Sequence, residues 1–184
     1  MAQSWLRRIA IASLMVAGGS IPFLLQATSA TPAGAATLTI DRPLPNARLL
    51  SQSSSISALE QAVHAQINQY RASRKLPPLT LDSRISAISR SHSQAMASGQ
   101  VSFSHQGFEQ RARAISQFMP MRGAAENIAY NQGYRNPDQQ AVQGWLKSSG
   151  HRSNIEGRYT ATGIGIAVNS KGEYYFTQIF INRR

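Results

Sequence analysis

Near its C-terminal end the chain alternates small and branched residues, Gly163, Ile164, Gly165, Ile166, Ala167 and Val168 within TGIGIAVN, and no other stretch restricts the fold as much. A period of two belongs to a strand, which turns successive side chains to opposite faces. Ile164, Ile166 and Val168 then share one face, and Gly163, Gly165 and Ala167 share the other. With so little bulk on the glycine face, another element can approach the backbone closely. A second strand-like run, EYYFTQIFI, follows the turn-forming tetrad Asn169-Ser170-Lys171-Gly172, so the two runs make a hairpin.

Upstream the period becomes helical. Ile56, Leu59, Val63, Ile67 and Tyr70 predict an amphipathic first helix, with Ser57 and Glu60 as a capping box and Pro77-Pro78 as the stop. A second helix starts at Asp82, carries Ile85, Ile88, His92, Ala95 and Met96 on one face, and ends at Gly99. A short helix spans Phe108, Ala112 and Ile115. Another opens at Asn136-Pro137, turns Ala141, Trp145 and Leu146 inward, and closes at Gly150. Helices first and a hairpin last predict an α+β domain.

The opening segment reads as a secretory signal over residues 1–35. Arg7 and Arg8 precede an apolar stretch, and cleavage is expected after Ala30 or Ala35. An uncleaved anchor is the competing reading, but Gly18, Gly19 and Pro22 interrupt the stretch, so no permanent membrane span is expected. Residues 36–55, rich in Thr, Pro and Ser, read as a flexible linker, and the domain as residues 56–182. Hydrophobic content of 42% with 15% charged residues excludes a disordered chain. The absence of cysteine excludes disulfides, cysteinate metal sites, a thiol nucleophile and a lipidated cysteine.

Lys+Arg total 19 against 8 Asp+Glu, a net charge of +11, which favours anionic surfaces such as membranes, envelope material or nucleic acid. The arginines are nevertheless scattered, from Arg71 and Arg74 through Arg90 and Arg111 to Arg158, and no nucleic-acid motif accompanies them. A solvated basic surface is expected, without a nucleic-acid partner.

Chemistry must come from few groups. His64 and His92 sit on the first two helices, where a hydrogen-bonded, packed histidine is the simplest role. His105 follows Phe103-Ser104 on a loop. Glu126 lies among small and apolar residues in AAENIAY and needs a partner, because burying an unpaired charge is costly. His151 follows Gly150 and could cap the last carbonyls of the Trp145 helix. Two imidazoles and a carboxylate suit either a divalent cation or proton transfer. HExxH, GxSxG, Walker A and CxxC patterns are absent, and Ser148 and Ser149 lack the orienting acid and oxyanion donors of a nucleophile.

Taken in order, INQYRASRKLPPLTLD, SHSQAMASGQVSFSH, AAENIAY, QGWLKSSGHRSNI, YTATGIGIAV and YYFTQIF resemble the signature blocks of bacterial CAP proteins, the superfamily of cysteine-rich secretory, antigen 5 and pathogenesis-related 1 proteins. The resemblance implies a three-layer α-β-α sandwich with a mostly antiparallel central sheet and a cleft over one end. It matches His105 to the first cleft histidine, Glu126 to the acid of the GEN motif, His151 to the histidine of the GHR block and Gln178 to the polar residue of the TQ strand. Asn127 and Tyr175 complete the expected cleft. Two positions depart from animal and plant members: Ser148 stands where they often carry a second acid, and Tyr175 where they carry a second histidine. Ala125 replaces the motif's glycine. The metal-associated His-Glu-Glu-His set is thus incomplete, which leaves His105 and His151 as candidates for a cation such as zinc, with no cofactor required.

The expected function is a secreted, monomeric binding module whose His/Glu cleft engages an envelope, lipid or protein ligand, including a peptide or an anionic glycan. The alternative is a metal-assisted or histidine-based extracellular hydrolase of protease or esterase type. A structural or adhesive envelope component is the third reading. No catalytic residue is assigned.

Overall fold

Four strands, β1 (Thr80–Leu81), β2 (Met121–Gln132), β3 (Ala161–Val168) and β4 (Glu173–Arg183), lie side by side in the order β1-β3-β4-β2. These come from a computed structural model that describes residues 45–184, with side chains from Ser55 onward; the expected signal and residues 36–44 of the expected linker lie outside the described residues. The sheet is mixed. β2 and β3 each pair antiparallel with β4, whereas β1 pairs parallel with β3 through Thr80 and Leu81. The predicted hairpin is present, closed by Asn169, whose carbonyl accepts the Gly172 N–H at 3.1 Å, with Gly172 at φ 75°.

Helices cover both faces. On one, α1 (Pro45–Ser73), α4 (Pro137–Lys147) and α5 (Ser149–Ile155) bury Val63, Ile67, Trp145 and Ile155 against Ile164, Ile166, Phe176 and Phe180. On the other, α2 (Ser83–Ala97) and α3 (Phe108–Ser116) bury Ile85, Phe108, Ala112 and Ile115 against Ala161, Ile179 and Ile181. This is the expected α-β-α sandwich.

The glycine face of β3 is where α2 lies. A methyl group at Gly165 would overlap the backbone of Ser89 and Arg90, and one at Gly163 the backbone of Ile85 and Ser86. The helix meets the strand with serines as well as apolar groups. Ser89 Oγ donates to Gly163 O at 3.2 Å, Ser93 Oγ to Gly165 O at 2.8 Å, and Ser86 Oγ accepts the Ile164 N–H at 3.1 Å. Ser86, Ser89 and Ser93 are all buried, although the sequence pattern placed Ile88 and Ala95 on that face. Short hydroxyl side chains fit where the two backbones nearly touch, and each hydroxyl finds a main-chain partner, so burial leaves no polar group unsatisfied.

Beyond Thr162 the outer edge of β3 has no strand beside it among the described residues. Glu60 closes this edge: its Oε1 accepts the Ile166 N–H at 3.1 Å and Arg90 Nε at 2.9 Å, and its Oε2 accepts Arg90 Nη2 at 2.6 Å. The capping-box reading of Ser57 and Glu60 is therefore corrected. The helix begins at Pro45, so both residues lie inside it, and Glu60 is spent on the strand and on α2. Asp82 does cap α2, accepting the N–H groups of Arg84 and Ile85.

Arg71 departs from the expected solvated basic surface. It is 1% exposed and donates to the carbonyls of Pro77, Ile155, Gly157 and Tyr159, tying the end of α1 to the segment after α5. The fourth helix also ends earlier than Gly150 implied. α4 stops at Lys147, and Gly150 lies inside α5.

Two outcomes follow from these contacts. Gly165→Ala should destabilise the domain by about 3 kcal/mol or more, the upper range for overpacking, because rigid backbone must move. Gly123→Ala, where a methyl group meets nothing within 4 Å, should change stability by less than about 0.5 kcal/mol; urea midpoints compare the two. Glu60→Ala should cost about 2 kcal/mol and deprotect the Ile166 amide in hydrogen exchange, since it strands a buried N–H and removes the partner of Arg90.

Candidate functional site

Strand alternation sends Glu126 from β2 toward α3 and the loop before it. Glu126 is 2% exposed, and its charge is fully engaged. Arg111 Nε donates to Oε2 at 2.8 Å and Arg111 Nη2 to Oε1 at 2.8 Å, a bidentate pair, while His105 Nδ1 donates to Oε1 at 2.9 Å. Arg111 also holds the loop, through Nη1 to Gln106 O at 3.0 Å. The sequence reading counted Arg111 only among scattered surface arginines. The signal that marks it is its place in α3, one residue before Ala112 on the Phe108–Ala112–Ile115 stripe, next to a carboxylate that needed a partner.

The Glu126 carboxylate accepts the His105 Nδ1 proton, which turns Nε2 away from Glu126, and Nε2 is buried with no hydrogen-bond partner among the described residues. The loop bearing His105 is fixed from beneath by His92, whose Nε2 donates to Ser104 O at 3.0 Å and whose pKa is lowered chiefly by burial. His92 thus has the packed, backbone-satisfied role expected of it. His64 is likewise structural, with Nε2 2.8 Å from Leu79 O.

His151 reaches the site from the opposite face of the sheet. It lies in the first turn of α5, so the proposed capping of the Trp145 helix is corrected. Arg152 does that work instead, donating from Nη1 to Leu146 O at 2.9 Å. His151 is 3% exposed, its Nε2 is also buried without a partner, and its pKa falls to about 4, through burial first and the neighbouring His105 second. The ring is neutral at pH 7.

Asn127 supports His151 and does not line the cleft with its amide. Its Nδ2 donates to His151 O at 3.1 Å, and its Oδ1 accepts Asn154 Nδ2 at 2.9 Å. Asn154 also reaches Glu126 O at 3.3 Å. His151 and Asn154 are spaced i, i+3 on α5, a pattern concealed in the sequence by ending the helix at Gly150. Gln178 is the register partner of Asn127 on β4, wholly buried in mid-sheet, with Nε2 3.2 Å from Thr162 Oγ1. Tyr175 lies apart from these groups: its ring packs 5.1 Å from Tyr130, and its hydroxyl turns to Glu173.

A recess of about 40 Å³ opens beside His151 along β2, between α4 and the Phe103 loop, lined by Ile128, Tyr130, Asn131, Tyr134, Gly144 and Trp145 among others. Trp145 seals its base, donating Nε1–H to Ile128 O at 2.8 Å. A cation finds too few ligands here. Zinc sites use three or four protein ligands, whereas Glu126 is closed by Arg111, and no group of three or more His, Cys, Asp or Glu among the described residues could hold a metal ion. The residues present do not fit a protein-ligated zinc.

The family model described as the cysteine-rich secretory protein family, CAP, matches residues 64–180. A Bacillus subtilis protein, YkwD, described as uncharacterized, is 32% identical over 137 residues, which cover 72% of this chain and 51% of that protein; the chain thus spans about half the length of this curated relative. Among solved structures, an extracellular Bacillus anthracis protein containing an SCP domain superposes with a TM-score of 0.56 at 29% identity, over 69% of this chain and 41% of that one. An outer surface protein of Borrelia burgdorferi shares the fold with a TM-score of 0.59 at 15% identity, over 69% and 94% of the two chains. With the family profile covering more than half of its length, the chain belongs to the CAP family of cysteine-rich secretory proteins.

Proposed function

We propose that this CAP domain is a binding module that works outside the cytoplasm, and that its ligand docks where His105 and His151 meet. The signal-like opening supports the location, as do relatives described as extracellular or surface proteins. No helix among the described residues is long and apolar enough to cross a membrane. The observation that carries the reading is the state of the three polar groups. Glu126 has given both oxygens to Arg111 and His105, while two buried imidazole Nε2 atoms are without partners. An imidazole oriented by a carboxylate acts as a general base only with a nucleophile in reach, and the sequence carries no recognised nucleophile pattern beside these histidines; the unpaired Nε2 atoms are held in place to meet a ligand. Such nitrogens select a ligand that brings hydroxyl or amide groups, from an envelope glycan, a lipid headgroup or a protein segment.

The test is a titration with uronic-acid oligosaccharides, phosphatidylglycerol vesicles and capped peptides, read by the imidazole ¹⁵N signals. A binding class should shift His105 and His151 Nε2 and weaken at least tenfold in His105→Ala and His151→Ala. Turnover of ester or peptide substrates that disappears in His105→Ala and Glu126→Ala would overturn the reading in favour of a hydrolase.

Stability should report the same electrostatics. His151 has a folded-state pKa below its unfolded value, so the unfolded chain binds the extra proton between about pH 6.5 and pH 4. Stability is therefore full above that window and lost as pH falls through it, by up to about 3 kcal/mol. His92 adds a slope of the same sign, so His151→Gln should flatten only part of the denaturation profile. Arg111→Met should cost about 3 kcal/mol by leaving a buried carboxylate short of its cation, and adding Glu126→Gln should restore part of it in a double-mutant cycle.

A further inference from the structure

The floor of the recess is the outer edge of the sheet. Main-chain groups along a strand face its two edges alternately. Ile164 and Ile166 of β3 turn their N–H groups outward, to Ser86 and Glu60, so on β4 the residues paired with them, Gln178 and Phe176, face β2. Their register partners on β2 are Asn127 and Ala129, which leaves Glu126, Ile128 and Tyr130 directed away from the sheet. Two side-chain bonds agree with this assignment: Asn154 reaches Glu126 O and Trp145 reaches Ile128 O from outside. With those two carbonyls taken, the N–H of Ile128 and both the N–H and C=O of Tyr130 are free of side-chain partners among the described residues.

Buried polar atoms flank this segment. Asn131 is 5% exposed and lines the recess. Its Nδ2 donates to Pro137 O at 2.8 Å, while Oδ1 is buried without a partner. His151 Nε2, also without a partner, lies on the same recess. Aromatic surface stands over the edge, with the Phe103 and Tyr130 rings edge-on at 6.4 Å. Small residues on the facing helix, Ala141 and Gly144, keep the recess open.

We infer that the ligand of this site is an extended peptide segment that adds to the outer edge of β2 at Ile128–Tyr130, with one small apolar side chain in the recess beside Gly144. The inference rests on the binding-module reading and names its ligand class. A polypeptide main chain is the ligand that presents a donor and an acceptor on one edge at strand spacing, which is what Tyr130 requires. Pocketed side chains then supply specificity, as in other cases of strand addition. At about 40 Å³ the recess has room for a small side chain. Asn131 Oδ1 accepts a donor from one flank of the segment, and the unpaired His151 Nε2 meets a polar atom of the other.

The experiment is an amide ¹H–¹⁵N titration with an equimolar pool of randomised, N-acetylated and C-amidated hexapeptides. The same pool with every amide N-methylated serves as control. The unmodified pool should shift the Ile128 and Tyr130 amides and slow the exchange of Tyr130 at least tenfold. The methylated pool should do neither, because its main chain cannot donate. Gly144→Leu, which fills the recess while favouring the helix, should weaken the response at least tenfold, with the fold confirmed by an unchanged spectrum elsewhere. Silent Ile128 and Tyr130 amides at millimolar pool, or an equal response to the methylated pool, would overturn the inference. If uronic-acid oligosaccharides or phosphatidylglycerol vesicles shift the imidazoles while peptides leave the edge silent, the peptide assignment falls and the binding module stands. If none of the three binds, both fall.

Discussion

The contact between α2 and the glycine face of β3 positions most of what matters in this domain. Because residues 163 and 165 have no Cβ, the helix backbone comes into direct contact with the strand, and any side chain there would push it away. At that separation an apolar interface of ordinary size does not fit, so serines take its place and hydrogen-bond the strand. The closeness has consequences at a distance. It brings Arg90 over the open edge of β3 to Glu60, joining the two helical layers. It also sets where His92 emerges, and His92 holds the Ser104 carbonyl that precedes His105. The orientation of a cleft histidine thus traces back to two glycines on a different element.

The second organising fact is that β2 is an edge strand with its alternation intact. One parity carries Glu126 toward α3, where Arg111 and His105 meet it; the other carries Asn127 toward α5, where it holds His151 and Asn154. Adjacent residues of one strand therefore organise the two halves of the site from opposite faces. Edge strands invite unwanted pairing, and proteins commonly blunt or cover them. Here the cover is partial. Trp145 and Asn154 occupy two carbonyls, and the strand beyond them adjoins a recess.

How far the sequence anticipates this depends on whether the relevant physics is periodic. The hairpin, the Asp82 cap and the Phe108–Ala112–Ile115 stripe are local patterns, and each is present. The layered architecture followed from resemblance, and the structure agrees. What escaped was set by tertiary contact. Ser86, Ser89 and Ser93 read as polar and hence outward, and only the glycines opposite them make them inward. Glu60 fits a capping box perfectly well in sequence, yet the helix begins at Pro45 and the carboxylate is claimed by a strand more than a hundred positions later. AAENIAY did not read as a strand because its buried polar residues break the alternation; Asn127 and Asn131 are buried only because α4 and α5 offer them partners. Arg71 looked like surface charge, and four carbonyls gathered from distant segments make it core.

The pairing of Glu126 with Arg111 also bears on what kind of chemistry the cleft supports. A buried carboxylate without a cationic partner is strongly disfavoured. Arg111 supplies that charge in a bidentate geometry, which satisfies the carboxylate and fixes its plane. The arrangement is in keeping with the two departures that the resemblance implies, Ser148 and Tyr175, from the acid often present and the histidine expected in animal and plant members. A site short of those groups has less to offer a cation, and an arginine on the remaining acid reduces it further. What the same geometry does well is orient the His105 ring: Nδ1–H is committed to Glu126, and Nε2 faces away from it. Depression of the His151 pKa, by burial first and by His105 second, keeps that imidazole neutral at pH 7. Two buried, unpaired imidazole nitrogens held in fixed orientations suit recognition of a polar ligand, and His151 presents an uncharged one over the whole pH range in which it remains unprotonated.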